Sequence, residues 1–253
     1  LGPRFVQRAG QRAGRVSGGL AGANPNAGHE PKPLSSRLVT PEQFVDEFGR
    51  ARVSAILRTD DQRKAAEAMD AALRGGFRIV EFTLTIPGVF ELIREFSKRE
   101  GVIVGAGTVL DVDQARQAVA AGARFLVSPV VDEPVIAAAA ALGVAAMPGT
   151  HTPTEMLRAH RAGAQLCKLF PAPAGGPAWL RSVRGPLPFL KIVPTNGVSL
   201  EGPEGMEHWF AAGAWAAGFV AALFNPTDMG ASDWPAIEAK ARAIVARAAA
   251  LPR

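Results

Sequence analysis

The stretch TPTEMLRAHRAGAQLCKLF (residues 152–170) carries a helix signal followed directly by a strand signal. Thr152 is an N-cap, Pro153 takes the first helical position, and Glu155 stands three residues after the cap, which is the pattern of a capping box. The short apolar run QLCKLF (165–170) follows, and it has the length of a strand. Working outward, the same alternation recurs. Seven further short apolar runs are RVSAIL (52–57), FRIVEFTL (77–84), GVIVGA (101–106), ARFLVS (123–128), GVAAMP (143–148), FLKIVP (189–194) and AWAAGFV (214–220). Helical patterns separate them. DQRKAAEAMDAALRGG ends in a Gly-Gly stop, DVDQARQAVAAGA opens on Asp111 as N-cap, and Ser232 or Asp233 caps the last helix ahead of Pro235.

Strand–helix alternation with short connections predicts parallel strands joined by helical crossovers. Eight rounds in about 210 residues predict an α/β fold of the (β/α)8 TIM-barrel class, near its lower size limit. An open doubly wound sheet is the competitor, but its first strand normally leads into a glycine-rich phosphate loop. Here that junction reads ILRTDDQ, without glycine. We therefore expect a single barrel domain over residues 39–253.

Residues 1–38 differ in character. They are rich in Arg, Gly, Ala and Asn and carry few large apolar side chains. Such a segment buries too little apolar surface to offset its ordering entropy, so a disordered basic extension is expected. An Arg-rich, acid-poor start also fits a targeting peptide, an expression scar or an upstream-translated stretch. The whole chain has 28 Lys+Arg against 23 Asp+Glu and a net charge of +5. Arg4, Arg8, Arg12 and Arg15 concentrate much of that excess in the extension. The remainder is mixed in sign, which argues against nucleic acid as partner. No apolar run reaches membrane-spanning length, and no signal-peptide core opens the chain. One cysteine leaves no intrachain disulfide and fits a reducing, cytoplasmic setting.

In a barrel, alternate strand residues point inward and the site lies at the C-terminal strand ends. Two runs carry a charge in mid-strand: Lys168 in QLCKLF and Glu81 in FRIVEFTL. With Lys168 inward, Leu166 and Phe170 share its face; with Glu81 inward, Ile79, Thr83 and Thr85 share it. Both charges then enter one narrow tube, where an unpaired ion would be costly. One reading is a buried ion pair, a weak stabiliser because desolvation offsets the attraction. The other is a Schiff-base lysine with a neighbouring acid/base. Imine formation needs a neutral amine, which desolvation favours. The residues alone leave these two readings open. Around them, Arg58 ends the first strand as a candidate clamp for a carboxylate or phosphate, against a solvated loop arginine. GAGTVL, SPVVDEP, MPGTHTPTE and VPTNGVS place small and hydroxylated residues at other strand ends; His151 reads as loop surface.

Together, GGFRIVEFTLTIPG, VGAGTVL, FLVSPVVDEP, MPGTHTPTE, CKLFPA and KIVPTNGVS, in this order, resemble the 2-keto-3-deoxy-6-phosphogluconate (KDPG) / 4-hydroxy-2-oxoglutarate aldolase family. The resemblance covers roughly residues 41 to 250. It implies a metal-free, cofactor-free class I aldolase on a (β/α)8 barrel, a homotrimer, acting on a small 2-keto-4-hydroxy acid to release pyruvate and an aldehyde. Position by position, it implies Lys168 as the Schiff-base lysine and Glu81 as the proton shuttle. Thr108 and Thr195 fall on threonines that hold the pyruvyl carboxylate and the reacting centre. Phe170 falls on the aromatic over the site, and Arg58 on the arginine of an A-(V/I)-L-R strand. The family's phosphate cradle maps to the loops that carry Gly197 and Gly218.

Departures cluster at that cradle. PTGG becomes PTNG, with Asn196 for the first glycine, and G-x-G-S becomes GFVA, with Val220 for a glycine and Ala221 for a serine. A backbone cradle relies on glycine to approach the anion, so weakened phosphate binding is expected. Two other classes of function compete. A barrel without turnover could serve as a binding or assembly module, as the altered loops and basic extension suggest; a phosphosugar isomerase would need an intact cradle and would have no use for Lys168.

Overall fold

The computed structural model describes residues 39–252. The expected disorder of residues 1–38 lies outside these residues. All described residues lie in one unit.

Eight parallel strands are arranged in the order β7-β6-β5-β4-β3-β2-β1-β8. They are β1 (Val53–Leu57), β2 (Ile79–Thr83), β3 (Ile103–Gly107), β4 (Phe125–Ser128), β5 (Ala145–Thr150), β6 (Cys167–Leu169), β7 (Ile192–Pro194) and β8 (Ala217–Phe219). The seam between β7 and β8 is closed by a parallel bridge, Thr195 to Gly218, and by Trp215 N–H donating to the Ile192 carbonyl at 2.9 Å. This is the TIM barrel, and every one of the eight apolar runs supplies one strand. The crossover helices are α2 (Gln62–Arg74), α3 (Val89–Phe96), α4 (Val112–Ala121), α5 (Glu133–Ala141), α6 (Pro153–Arg161), α7 (Gly176–Arg184) and α8 (Met206–Ala211), and the chain closes with α9 (Pro226–Ala231) and α10 (Trp234–Ala250). Thr152 makes the expected capping box, Asp111 caps α4, and Asp233, rather than Ser232, caps α10.

One element was absent from the sequence reading. Helix α1 (Pro41–Ala51) precedes the first strand and opens on a second capping box, Thr40 with Gln43. Its apolar side, Phe44, Val45 and Phe48, packs on the inward residues Ile79, Ile103, Phe125, Met147, Leu166 and Val193. The Phe44 and Phe125 rings stack at 4.5 Å and 12°. Helix α1 is thus a floor that plugs the N-terminal end of the barrel. Without it, this interior layer would face water, and a buried Phe-sized side chain is worth about 1.5–3 kcal/mol in transfer alone. The outward strand residues, among them Val80, Phe82, Val104, Leu126 and Ile192, form a separate core with the helices. Apolar floor and apolar jacket leave the C-terminal mouth as the place where the tube opens to polar chemistry.

Candidate active site

Register decides what meets inside the tube. Ile56 lies opposite Glu81, Glu81 opposite Gly105, and Thr83 opposite Gly107. On the other side, Gly149 lies opposite Lys168 and Lys168 opposite Val193. Both mid-strand charges therefore turn inward. Lys168 Nζ stands 3.9 Å from Glu81 Oε1, with the lysine side chain 12% exposed and the glutamate 1%. That separation is an ion-pair contact and too long for a hydrogen bond. Among the described residues, neither carboxylate oxygen of Glu81 has a hydrogen-bond partner. Burial raises the Glu81 pKa above the ordinary carboxylate range, and the charges of Lys168 and Arg58 offset this only in part.

The carboxylate has room because Gly107 has no side chain. A Cβ there would overlap Glu81 Oε1 and stand 2.8 Å from Cδ and 3.1 Å from Cγ. Gly105, two residues earlier on the same face, makes the corresponding room for the Phe125 ring. Neither glycine was assigned this role from sequence. Thr150 was missed as well; buried, it donates its hydroxyl to the Lys168 carbonyl at 3.0 Å and ties β5 to β6 beside the lysine.

Above the pair, a cavity of about 240 Å³ is lined by Ile56, Arg58, Thr83, Lys168, Phe170, Thr195, Asn196 and Val220. Lys168 Nζ lies 5.4 Å from the centroid of the Phe170 ring. Arg58 donates to Thr108 Oγ1 at 2.9 Å and to Thr85 Oγ1 at 3.3 Å, and Thr85 in turn contacts Thr83 Oγ1 at 2.9 Å. Its guanidinium is thus aimed by hydroxyls at the ends of β2 and β3. Thr108 has φ +60°, an uncommon conformation for a β-branched residue and a recurrent form of strain at functional sites. Thr195, 1% exposed, donates to the Leu169 carbonyl at 3.4 Å.

The remaining candidates divide. Gly197, at φ +116°, follows Asn196 in the loop after β7. Gly218 sits in the sheet at the seam, where a Cβ would be 2.6 Å from both Ile56 Cδ1 and Thr195 Cγ2; its smallness serves barrel closure, and it does not line the cavity. Asn196 itself has φ +55°, a conformation asparagine tolerates better than other residues with a side chain. His151 is exposed, with Nδ1 2.9 Å from the Pro171 carbonyl. Cys167 is buried on the outer face of β6, and burial pushes its thiol up to about 12, so it stays an inert thiol.

This arrangement is matched among known proteins. Residues 45–240 fit the model of the KDPG and KHG aldolase family. A probable 2-dehydro-3-deoxy-6-phosphogalactonate aldolase of Rhizobium meliloti is 37% identical over 175 residues, 68% of this chain and 81% of that one. A 2-dehydro-3-deoxy-phosphogluconate aldolase of Pseudoalteromonas atlantica is 32% identical over 213 residues, 81% of this chain and 95% of that one. The solved structure of the 2-keto-3-deoxy-6-phosphogluconate aldolase of Zymomonas mobilis ZM4 with 3-phosphoglycerate superposes with a TM-score of 0.66 at 27% identity, over 83% of this chain and 96% of that chain. With the family model spanning most of the barrel, the chain belongs to the KDPG and KHG aldolase family and is an aldolase.

Proposed function

We propose that this protein cleaves a 2-keto-4-hydroxy acid to pyruvate and an aldehyde through a Schiff base on Lys168. The observation that carries this reading is one near-buried amine at the floor of the cavity, 3.9 Å from a buried carboxyl that makes no hydrogen bond among the described residues. An ion pair kept for stability would more usually have its remaining lone pairs satisfied.

The steps follow from the placement. The neutral Lys168 amine attacks the C2 carbonyl carbon, and the carbinolamine loses water to give an iminium ion. A base removes the C4 hydroxyl proton, the C3–C4 bond breaks, and its electron pair moves toward the iminium nitrogen. Aldehyde leaves and an enamine remains. Protonation at C3 and hydrolysis of the imine release pyruvate and restore the amine. Glu81 is the acid/base: its raised pKa brings proton loss and gain nearer to neutral pH, and such a group supplies about 10²- to 10⁴-fold. Arg58, aimed by Thr85 and Thr108, holds the C1 carboxylate, the Thr195 hydroxyl joins it by turning its hydrogen from the Leu169 carbonyl to the substrate, and Phe170 shields the imine from water. Gly197 belongs to the loop that meets the far end of the substrate. The homotrimer and the cytoplasmic setting belong to the same proposal; the first is carried by the family resemblance and the second by the single cysteine.

Reductive trapping tests it. Pyruvate plus borohydride should attach a three-carbon adduct to Lys168, located by peptide mass analysis. A folded, active enzyme that acquires no adduct would refute the Schiff base.

A further inference from the structure

The two sides of the cavity differ in kind. Its cations lie on one side and at the centre. Arg58 leans from the end of β1 toward β2 and β3, where Thr85 and Thr108 accept from it at 3.3 and 2.9 Å, and Lys168 stands beside Glu81. Among the described residues these two are the only charged groups that line the cavity. With Lys168 on the substrate carbonyl and Arg58 on its carboxylate, both are in use, and the rest of the substrate runs toward β7 and β8.

That side is walled by aliphatic groups. A Cβ at Gly218 would stand 2.6 Å from both Ile56 Cδ1 and Thr195 Cγ2, so these two methyls converge over the glycine from β1 and β7. Val220, two residues further along, shares the inward face of β8 and lines the cavity nearer its mouth. Phe170 and the exposed, uncharged Asn196 complete the lining there. An anion placed here would shed water against Val220 and Ile56 and gain no cation in return, which is costly. A methyl or another uncharged group meets no such penalty, and apolar contact with Val220 favours it.

We infer that the substrates of this site carry an uncharged group on C4, without a second anion, and that Val220 is the residue that sets this choice. The inference rests on the aldolase reading and names its substrate class.

Two substrate pairs test it, each differing by one anion: 4-hydroxy-2-oxopentanoate against 4-hydroxy-2-oxoglutarate, and 2-keto-3-deoxygluconate against KDPG. Measuring kcat/KM for all four in wild type, Val220→Gly and Val220→Thr cancels the intrinsic reactivity of each substrate between proteins. Both variants should fold, because Val220 enters the turn after β8 through its carbonyl, which accepts from the Leu223 and Phe224 N–H groups at 3.1 and 2.8 Å. The neutral-to-anionic ratio should fall about tenfold in Val220→Gly, the effect of a methylene or more lost from a hydrophobic wall. It should fall about threefold in Val220→Thr, which keeps the volume and adds a hydroxyl donor. Borohydride trapping of pyruvate on wild-type Lys168 runs alongside as the measure of the aldolase reading itself. Ratios unchanged in both variants overturn the role of Val220, and so does a change in the glycine variant alone, which would make size rather than polarity the determinant. A wild type that traps pyruvate yet cleaves the anionic member of each pair as fast as the neutral one overturns the substrate class and leaves the aldolase reading standing. A wild type that traps no pyruvate overturns both.

Discussion

Gly107→Ala should disable the enzyme while sparing the barrel. The glycine is in β3 and its φ lies outside the left-handed region, so alanine adopts the backbone without strain. The conflict is with one side chain. The new methyl would overlap Glu81 Oε1 and sit 2.8 Å from Cδ, where an ordinary contact is about 3.5 Å or more. Glu81 must therefore withdraw by about 1 Å or adopt another rotamer, and its carboxylate leaves the position 3.9 Å from Lys168. Overpacking of this kind costs about 1–3 kcal/mol of stability, which a domain of this size survives. A displacement of about 1 Å in a catalytic group costs on the order of 10²-fold in rate. Pyruvate release, followed by a coupled dehydrogenase assay, should fall by that factor, while borohydride trapping on Lys168 persists. Gly105→Ala is the contrast: its methyl meets the Phe125 ring above the α1 floor, so it should lower Tm more than it lowers kcat. A Gly107→Ala protein with wild-type kcat would show that the seat of Glu81 against β3 does not set the rate.

Lys168→Arg should fold normally yet lose all turnover and all pyruvate labelling, because guanidinium does not deprotonate to attack a carbonyl; residual aldolase activity in the folded variant would end the assignment. Glu81→Gln should melt at a higher temperature than wild type near pH 8, because the folded protein binds the Glu81 proton more tightly than the unfolded chain does. Stability is therefore lost as pH rises from the ordinary carboxylate range through the raised folded value. The gap should close at about pH 4, with roughly 2–4 °C in Tm for each kcal/mol of relief, and a gap independent of pH would refute the sign. Asn196→Gly should leave kcat/KM for KDPG and for 2-keto-3-deoxygluconate within about twofold of wild type, since the asparagine already holds the left-handed backbone that glycine would supply. A selective gain on KDPG would show that the asparagine side chain blocks the phosphate.

What the sequence discloses here is whatever is written along one strand or one helix, and what it hides is whatever depends on two strands meeting. Eight apolar runs became eight strands, and the cap residues Asp111 and Thr152 stand where a local rule puts them. A charge in mid-run identified Lys168 and Glu81 as inward because strand alternation is itself local. Helix α1 carried the same kind of signal, Thr-Pro-Glu-Gln at 40–43, yet it lies outside the strand–helix repeat and follows the basic stretch in sequence, so periodicity gave no reason to look for a floor. The glycines of GAGT show the limit most sharply. Along the chain they read as turn-formers, and only the registers of β2 with β3 and of β3 with β4 reveal that they vacate space for a carboxylate and a phenyl ring. The far end of the site follows the same logic. Substitution of a loop glycine by Asn196 looks like a lost cradle when residue types are compared, but its φ of +55° keeps the backbone. The inward setting of Lys168 and Glu81 is thus fixed by strand alternation, which a sequence displays, whereas the room around the acid is fixed by contacts between segments, which only the fold displays.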